Sequence, residues 1–287
     1  MKTPEEESQP QPEDLLEKDS KIQFLCRPGL SCFTTCCQDV NIFLTPYDIL
    51  RMKDRLGIPS DEFLDKYTKT LLPPGGGIPV IQFVMGESDR RCSFVSDEGC
   101  TIYEDRPWAC RMYPLDWMGD KGGYYFLVGE DRCKGRGEPN EWDLFEWLKT
   151  QEVAPYEEMD LRFQMVTRYP RLAEAGVDDP RVQHMFRMAC YDLDTFRRFV
   201  FETRFLEVFD VEEETIEEIK TDELALLDLA FRWIRFGLVC GDVLPIREEV
   251  AESKRKAMGV ESGVSENPTG VSENPTDVSE NPKDKEK

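Results

Sequence analysis

The spacing of apolar residues predicts a helix early in the chain. In the stretch LTPYDILRMKDRLGIP, Thr45 suits an N-cap and Pro46 the first helical position, while Gly57 and Pro59 suit a stop. The buried stripe of this helix would consist of Ile49, Met52 and Leu56. The pattern therefore predicts an amphipathic helix that packs one face on a core.

A second helix and four short strands are predicted next. Ser60 suits the cap of this helix, and the PPGGG sequence suits its end. Its apolar positions are Phe63, Leu64 and Tyr67. The runs IPVIQFVM, CSFV, CTIY and YYFLV are rich in β-branched and aromatic residues, which is typical of strands. SDEG, between Val95 and Cys100, predicts a hairpin turn.

From Asn140 onward the pattern becomes helical. Asp179 and Pro180 suit the start of a long helix that continues to Phe196, because apolar residues recur at three- and four-residue spacing. A further helix is predicted from about Asp222 to Val239. Its core side would be formed by Leu224, Leu227, Phe231, Ile234 and Leu238.

These patterns predict an α+β fold. Residues 21–139 would form a small Cys-rich core with a few helices and short antiparallel strands, and residues 140–256 a mainly α-helical region. Residues 1–20 are polar and rich in Pro and Glu, and residues 257–287 contain the repeats VSENPTG, VSENPTD and VSENPKD. Such segments bury too little apolar surface to offset ordering, so both ends are predicted to be disordered.

Charge narrows the expected partners. The 287 residues carry a net charge of −22, which repels nucleic-acid backbones and anionic membranes. We therefore expect no nucleic-acid and no membrane partner. The N-terminal sequence has no signal-peptide pattern, which predicts a cytoplasmic protein with reduced thiols.

The cysteines carry the candidate chemistry. Eight of the ten lie between residues 26 and 133, and the segment CRPGLSCFTTCC alone holds four. We predict that these eight thiols bind metal and converge in space: Cys26, Cys32, Cys36, Cys37, Cys92, Cys100, Cys110 and Cys133. The single histidine, His184, excludes mixed Cys/His zinc fingers and Ser-His-Asp catalysis. Cys190, Cys240 and His184 lie in helical patterns and are interpreted as packing or surface residues.

The metal could be zinc or iron. Only Cys32 and Cys36 have the close spacing of a zinc knuckle, and wide spacing on loops suits an iron–sulfur cluster at least as well. The adjacent Cys36 and Cys37 cannot readily chelate one small ion together. They would serve two ions or two cluster positions, or one would be a redox thiol. Arg106 and Arg111 bracket Cys110 and are candidates to offset thiolate charge.

The string GCTIYEDRPWACRMYP, with the CxxxCC sequence before it and CKGRG after it, resembles a bacterial cysteine-cluster family described as zinc- or iron-chelating proteins (YkgJ-like). The resemblance covers roughly residues 24–137. The opening spacing here is C-x5-C-x3-CC instead of CxxCxxCC, which affects Cys26 most. The family includes flagellin lysine N-methylases, and that relation implies an iron–sulfur centre.

Three functions follow as hypotheses. The first is an iron–sulfur protein with a redox or protein-modification role, acting on an unknown protein partner or protein substrate. The second is a zinc-stabilised interaction module without catalysis. The third, a protein-lysine N-methylase-like enzyme, is implied only by the resemblance, since the chain has no Gly-rich nucleotide loop. The sequence leaves open whether the protein is an enzyme.

Overall fold

The fold is α+β, as predicted. The structure is a computed structural model that describes residues 14–73, 77–119, 122–168, 178–238 and 243–257. The chain divides into two compact units, Met1–Arg247 and Glu248–Lys287. In the second unit the described part is one helix, Glu248–Ala257.

The strands of the first unit are short, and all of them pair in antiparallel fashion. β1 pairs with β9, β2 and β3 flank β4, β5 pairs with β6, and β7 pairs with β8. The bounds are β1 Lys21–Gln23, β2 Phe43–Leu44, β3 Thr68–Leu71, β4 Val80–Phe83, β5 Val95–Ser96, β6 Gly99–Cys100, β7 Leu115–Trp117, β8 Tyr124–Phe126 and β9 Glu141–Asp143. The SDEG segment forms the predicted hairpin turn between β5 and β6.

Helices form most of the remaining part of the first unit. Their bounds are α1 Pro46–Leu56, α2 Ser60–Tyr67, α3 Trp108–Met112, α4 Leu144–Thr150, α5 Ala154–Thr167, α6 Pro180–Tyr191, α7 Leu193–Glu202, α8 Phe205–Val208, α9 Glu213–Glu218 and α10 Glu223–Leu238; the helix of the second unit is α11. Among the described helices, none is both long and apolar enough to cross a bilayer.

Helix α1 begins and ends where the sequence predicts. The Thr45 side chain accepts from the Asp48 N–H, and the Asp48 side chain accepts from the Thr45 N–H, which together make a capping box. Gly57 ends the helix in the left-handed conformation, with φ 64°. Both ends of the helix are therefore fixed by local sequence.

The predicted cap of α2 is wrong. Ser60 is the first helical residue and Pro59 occupies the cap position. The Ser60 hydroxyl instead donates to Asp192 (2.7 Å), and its N–H donates to Asp194 (2.7 Å), so tertiary partners replace the local cap. The helix ends at Tyr67, before the PPGGG sequence, because the chain turns into strand β3.

The long helix predicted from Pro180 to Phe196 is two helices. Asp192 ends α6 and begins α7, where its side chain accepts from the Thr195 N–H (3.3 Å). Apolar residues on both sides of this break are buried, so the hydrophobic pattern continues although the helix is interrupted. In α10, Leu227, Phe231 and Ile234 are buried as predicted, but Leu224 is exposed. Four further residues are buried there: Leu226, Leu229, Ala230 and Trp233.

Two hydrophobic cores organise the first unit. The larger core joins α1, α2 and β4 with α5, α6, α7 and α10, and Phe63, Phe186 and Phe196 are fully buried in it. The smaller core joins β1, β7, β8 and α4 around Leu115, Leu144 and Trp147. Trp108, at the start of α3, packs against both cores.

The boundary expected near Asn140 falls inside the first unit. Helix α1 packs on α5 and α6, and α2 packs on α7, so the two expected regions share one core. The expected disordered segment 1–20 is ordered from Asp14, since Leu16 forms a bridge with Tyr124. Residues 1–13, the VSENP repeats and Cys240 lie outside the described residues.

We expect Ser60→Ala to destabilise the first unit by roughly 1–3 kcal/mol, because the buried Asp192 carboxylate loses its hydroxyl donor and the Asp194 N–H loses its acceptor. Urea unfolding followed by circular dichroism should show one transition at a lower midpoint. Ser253→Ala, on the exposed α11, is the matched control and should leave the midpoint unchanged. Two separate transitions would contradict the shared core.

Candidate metal centre

Four segments of the first unit carry the eight cysteines of the candidate site. The segments are the loop and 3₁₀ turn that follow β1, the β5–β6 hairpin, the short helix α3, and the loop that precedes β9. Cys133 is buried, Cys26 is exposed, and the other six are half-buried. All nine cysteines in the described part of the chain are unpaired thiols.

The segment after β1 runs beside the loop that contains Cys133. The Leu25 N–H donates to the Gly135 carbonyl (3.0 Å), and the Lys134 N–H donates to the Cys32 sulfur (3.3 Å). A Cβ at Gly135 would lie 2.8 Å from the Leu25 carbonyl oxygen, so only glycine permits this approach. Cys26, Cys32 and Cys133 are thereby neighbours although they are far apart in sequence.

The next residues of the same segment pair with the β5–β6 hairpin. The Cys92 N–H donates to the Cys37 carbonyl (2.8 Å), and the Asp39 N–H donates to the Arg90 carbonyl (2.9 Å). Cys92 precedes the hairpin, and Cys100 lies within it opposite Val95. Cys37, Cys92 and Cys100 therefore form a second neighbourhood.

Cys110 is positioned by a buried carboxylate. Asp48, which is only 1% exposed, accepts from the Trp108 N–H (2.8 Å) at the start of α3. This hydrogen bond attaches the helix that carries Cys110 to α1. Burial raises the pKa of Asp48 to about 6, although its backbone donors oppose the shift.

The cysteines of the first neighbourhood lie within electrostatic range of one another. Cys26 is largely exposed, and partial desolvation of its thiol is the main cause that raises its pKa to about 11. Three thiolates raise that pKa further: Cys133, Cys32 and Cys37. Burial also raises the pKa of the Tyr113 phenol, with smaller contributions from Cys133, Cys36 and Cys32. Tyr113 therefore lies within electrostatic range of these three sulfurs.

The second neighbourhood behaves in the same way. Burial raises the pKa of Cys92 to about 11 and also raises the pKa of Cys100 and Cys110. The Cys37 thiolate is the strongest charged neighbour that raises the pKa of Cys110 and of Cys100. A cation among these sulfurs would relieve the repulsion, as a bound metal does.

The adjacent Cys36 and Cys37 differ from each other. Their side chains form a hydrogen bond that lowers the pKa of Cys37 to about 7 and raises that of Cys36. Arg91 lowers the pKa of Cys37 further. The lowered pKa means that the Cys37 thiol ionises near neutral pH. The sequence analysis did not identify Arg91 as its cationic neighbour.

The two arginines that bracket Cys110 have different environments. Arg106 is buried, bonds to Tyr103 and Gln151, and lies within electrostatic range of Cys110 and Cys100. Arg111 donates to the carbonyls of Arg106, Gln151 and Glu104 and to the Tyr156 hydroxyl. Arg106 faces the thiols, whereas Arg111 fastens α3 to the segment that joins α4 and α5.

Arg111 also borders a cleft of about 490 Å³ between α1, α4 and α5. The rings of Tyr47 and Tyr156 line it, in edge contact with centroids 4.9 Å apart. Its charged lining is of both signs: Lys18, Arg51, Lys149, Glu152 and Glu157. The lining therefore does not select a ligand by charge.

The donor chemistry fits a thiophilic metal. The candidate site has eight thiols and no histidine, while His184 is exposed on α6. As the side chains stand, no three Cys, His, Asp or Glu residues in the described ranges are close enough to hold one ion. Binding would draw these thiols together by changes in their side-chain rotamers and in the loops. Cys190 is fully buried in the larger core, in agreement with its interpretation as a packing residue.

We expect Gly135→Ala to destabilise the protein by roughly 1–3 kcal/mol, because the new Cβ pushes the Cys133 loop away from Leu25. It should also lower the metal content measured after purification. Gly137→Ala is the matched control in the same 3₁₀ turn, since nothing lies within 4 Å of its added Cβ. Equal behaviour of the two variants would contradict the close approach.

The buried Asp48 predicts a pH-dependent stability. Its folded-state pKa is raised to about 6, so the protonated form stabilises the folded state below that pH, and this contribution is lost as pH rises through 6. From pH 5 to 7.5, the unfolding free energy of the wild type should fall by roughly 1 kcal/mol relative to Asp48→Asn. Urea unfolding at each pH measures this difference. Asp65→Asn, at an exposed carboxylate on α2, should show no such trend.

Comparison with protein families identifies part of the chain. Residues 25–134 match the model of the CxxCxxCC family, which is described as a putative zinc- or iron-chelating domain. The YkgJ-like proteins that the sequence resembles are the same family, so that expectation is confirmed. No curated protein and no solved structure matches the chain. Residues 25–134 of this chain are therefore a CxxCxxCC domain.

Proposed function

We propose that the protein holds an iron–sulfur centre on the thiolates of its CxxCxxCC domain and uses it in a redox or protein-modification role. The observation that supports the proposal is that cysteines from distant segments of the chain lie within electrostatic range of one another. Burial and neighbouring sulfurs raise the pKa of several of these thiols, and a bound metal cation would favour their thiolate forms instead. The family description, zinc- or iron-chelating, agrees with this chemistry.

Iron–sulfur is favoured over zinc by the donors and their arrangement. Structural zinc sites typically draw on pairs of close cysteines or on histidine. Here the donors stand on four separate elements, and histidine is absent from the candidate site. A cluster accepts thiolates from well-separated positions because its own sulfide and several irons fill the space between them.

A redox role is supported by the depth of the thiols. Cys26 is exposed and six others are half-buried, so a centre held there would lie close to the surface. When bound, an iron–sulfur cluster supplies a one-electron carrier. The chain's own groups would set its environment: Arg91 beside Cys37, Arg106 beside Cys100, and Tyr113 beside Cys133.

The protein partner or substrate and the cytoplasmic location belong to the same proposal. Nine unpaired thiols are compatible with a reducing compartment. Zinc is the second candidate, favoured by the family description, and it would make the domain an interaction module stabilised by metal. The lysine-methylase hypothesis rests on the resemblance alone.

Anaerobic purification should give brown protein with absorption at about 400 nm and stoichiometric iron and acid-labile sulfide. Dithionite should bleach this absorption reversibly if the centre is redox-active. Cys36→Ser with Cys110→Ser should lose iron, whereas Cys190→Ala, in the larger core, should retain it. Colourless protein with bound zinc would overturn the iron–sulfur proposal and support the zinc module. Colourless protein without metal would overturn both.

A further inference from the structure

We infer that the eight thiols form two separate metal centres with four thiolates each, an inference that rests on the proposed function. One centre would be held by Cys26, Cys32, Cys36 and Cys133. The other would be held by Cys37, Cys92, Cys100 and Cys110. The two centres would meet at the bond between Cys36 and Cys37.

Backbone hydrogen bonds define the first group. The chain around Cys26 is fastened to the Cys133 loop by the Leu25 N–H and the Gly135 carbonyl (3.0 Å). An ion pair continues this attachment, since Arg27 Nε lies 3.1 Å from Glu138 Oε2. The Lys134 N–H reaches the Cys32 sulfur (3.3 Å). Each contact joins the Cys26–Cys32 loop to the residues that follow Cys133, and none involves the β5–β6 hairpin.

A different set of contacts defines the second group. The Cys37 carbonyl accepts from the Cys92 N–H (2.8 Å), and Gln38 forms a β-bridge with Arg91. The Val95 N–H donates to the Cys92 carbonyl (3.2 Å), which holds Cys92 against the hairpin that contains Cys100. Cys110, on α3, has Cys37, Cys92 and Cys100 as its thiolate neighbours.

The hydrophobic cores divide the cysteines in the same way. Cys133 is part of the smaller core, whereas Cys92 and Cys100 pack against the larger one. Since each core is separately packed, a single ion or cluster could not draw Cys133 and Cys92 together without displacing one of them from its core. Two centres would use all eight thiols as ligands and would leave Cys133 in the smaller core and Cys92 and Cys100 against the larger one.

Cys36 and Cys37 are assigned by the direction of their neighbours. They are consecutive residues of a 3₁₀ turn, Thr35–Cys37, in which successive side chains are about 120° apart around the axis. Tyr113 lies within range of Cys36 together with Cys32 and Cys133. Cys37 is within range of Arg91 and of the hairpin cysteines, and its carbonyl accepts from the Cys92 N–H (2.8 Å). Cys36 also lies within range of Cys110, and Cys37 within range of Cys26, as expected of two residues at which the centres meet. The turn thus provides one thiolate to each centre.

The experiment compares two paired substitutions, one for each centre, in the full chain purified anaerobically. Cys32→Ser with Cys133→Ser should remove about half of the iron and sulfide. Cys92→Ser with Cys100→Ser should remove the other half. The four substitutions together should remove all of it, and Cys190→Ala should remove none. Iron and sulfide assays and native mass spectrometry provide the readout.

The outcomes separate the two levels of inference. If either pair abolishes all metal while the variant stays folded by circular dichroism, the protein has one centre and this inference is wrong. Wild-type protein without any metal would instead refute the proposed function. Should a pair fail to fold, native mass spectrometry of the wild type still decides: the mass of two clusters or two ions supports the inference, and the mass of one overturns it.

Discussion

The buried carboxylate of Asp48 is the interaction on which the position of α3, the helix that carries Cys110, depends. It completes the capping box that starts α1, and its other oxygen accepts from the Trp108 N–H at the start of α3. Trp108 packs on both cores, so this one residue sets how α3 lies between them. Burial of the charge is costly, and three donors, the Thr45 N–H, the Thr45 hydroxyl and the Trp108 N–H, do not fully compensate for it, as the raised pKa of Asp48 indicates.

Local sequence was sufficient wherever a structure is determined by near neighbours. The ends of α1 follow from Thr45, Pro46 and Gly57, and the β5–β6 turn follows from SDEG. Sequence was insufficient where distant groups compete with local ones. Ser60 is a residue type that often caps helices, but its hydroxyl donates to Asp192 instead. Asp192 in turn ends a helix within a stretch whose apolar pattern is continuous. The spacing of residues does not reveal the distant partner of either side chain. The pairing of β1 with β9 was not predicted for the same reason, because the two strands are far apart in the sequence.

The candidate site shows the same division. The eight cysteines and the lack of histidine between them are visible in the sequence, because residue inventory is sufficient to recognise a thiolate donor set. Which cysteines are neighbours in space is not visible, since chain order would group Cys37 with Cys26 and Cys133 with Cys110. The hydrogen bonds instead join the Cys37 backbone to Cys92 and the Cys133 loop to Cys32. Asp48 and Arg91 were also missed, because a carboxylate in a helix cap and an arginine in a turn are ordinary surface features until the fold buries or orients them.

The shared larger core has a consequence for how the CxxCxxCC domain can pass between proteins. The matched residues 25–134 place Leu44, Phe63 and Ile81 in a core that is completed by α5, α6, α7 and α10. Cut out alone, this stretch would expose those side chains to water and would lack part of the smaller core as well. In this protein the matched stretch therefore depends on those helices to close its apolar core, so a transplanted copy would need them or an equivalent apolar surface.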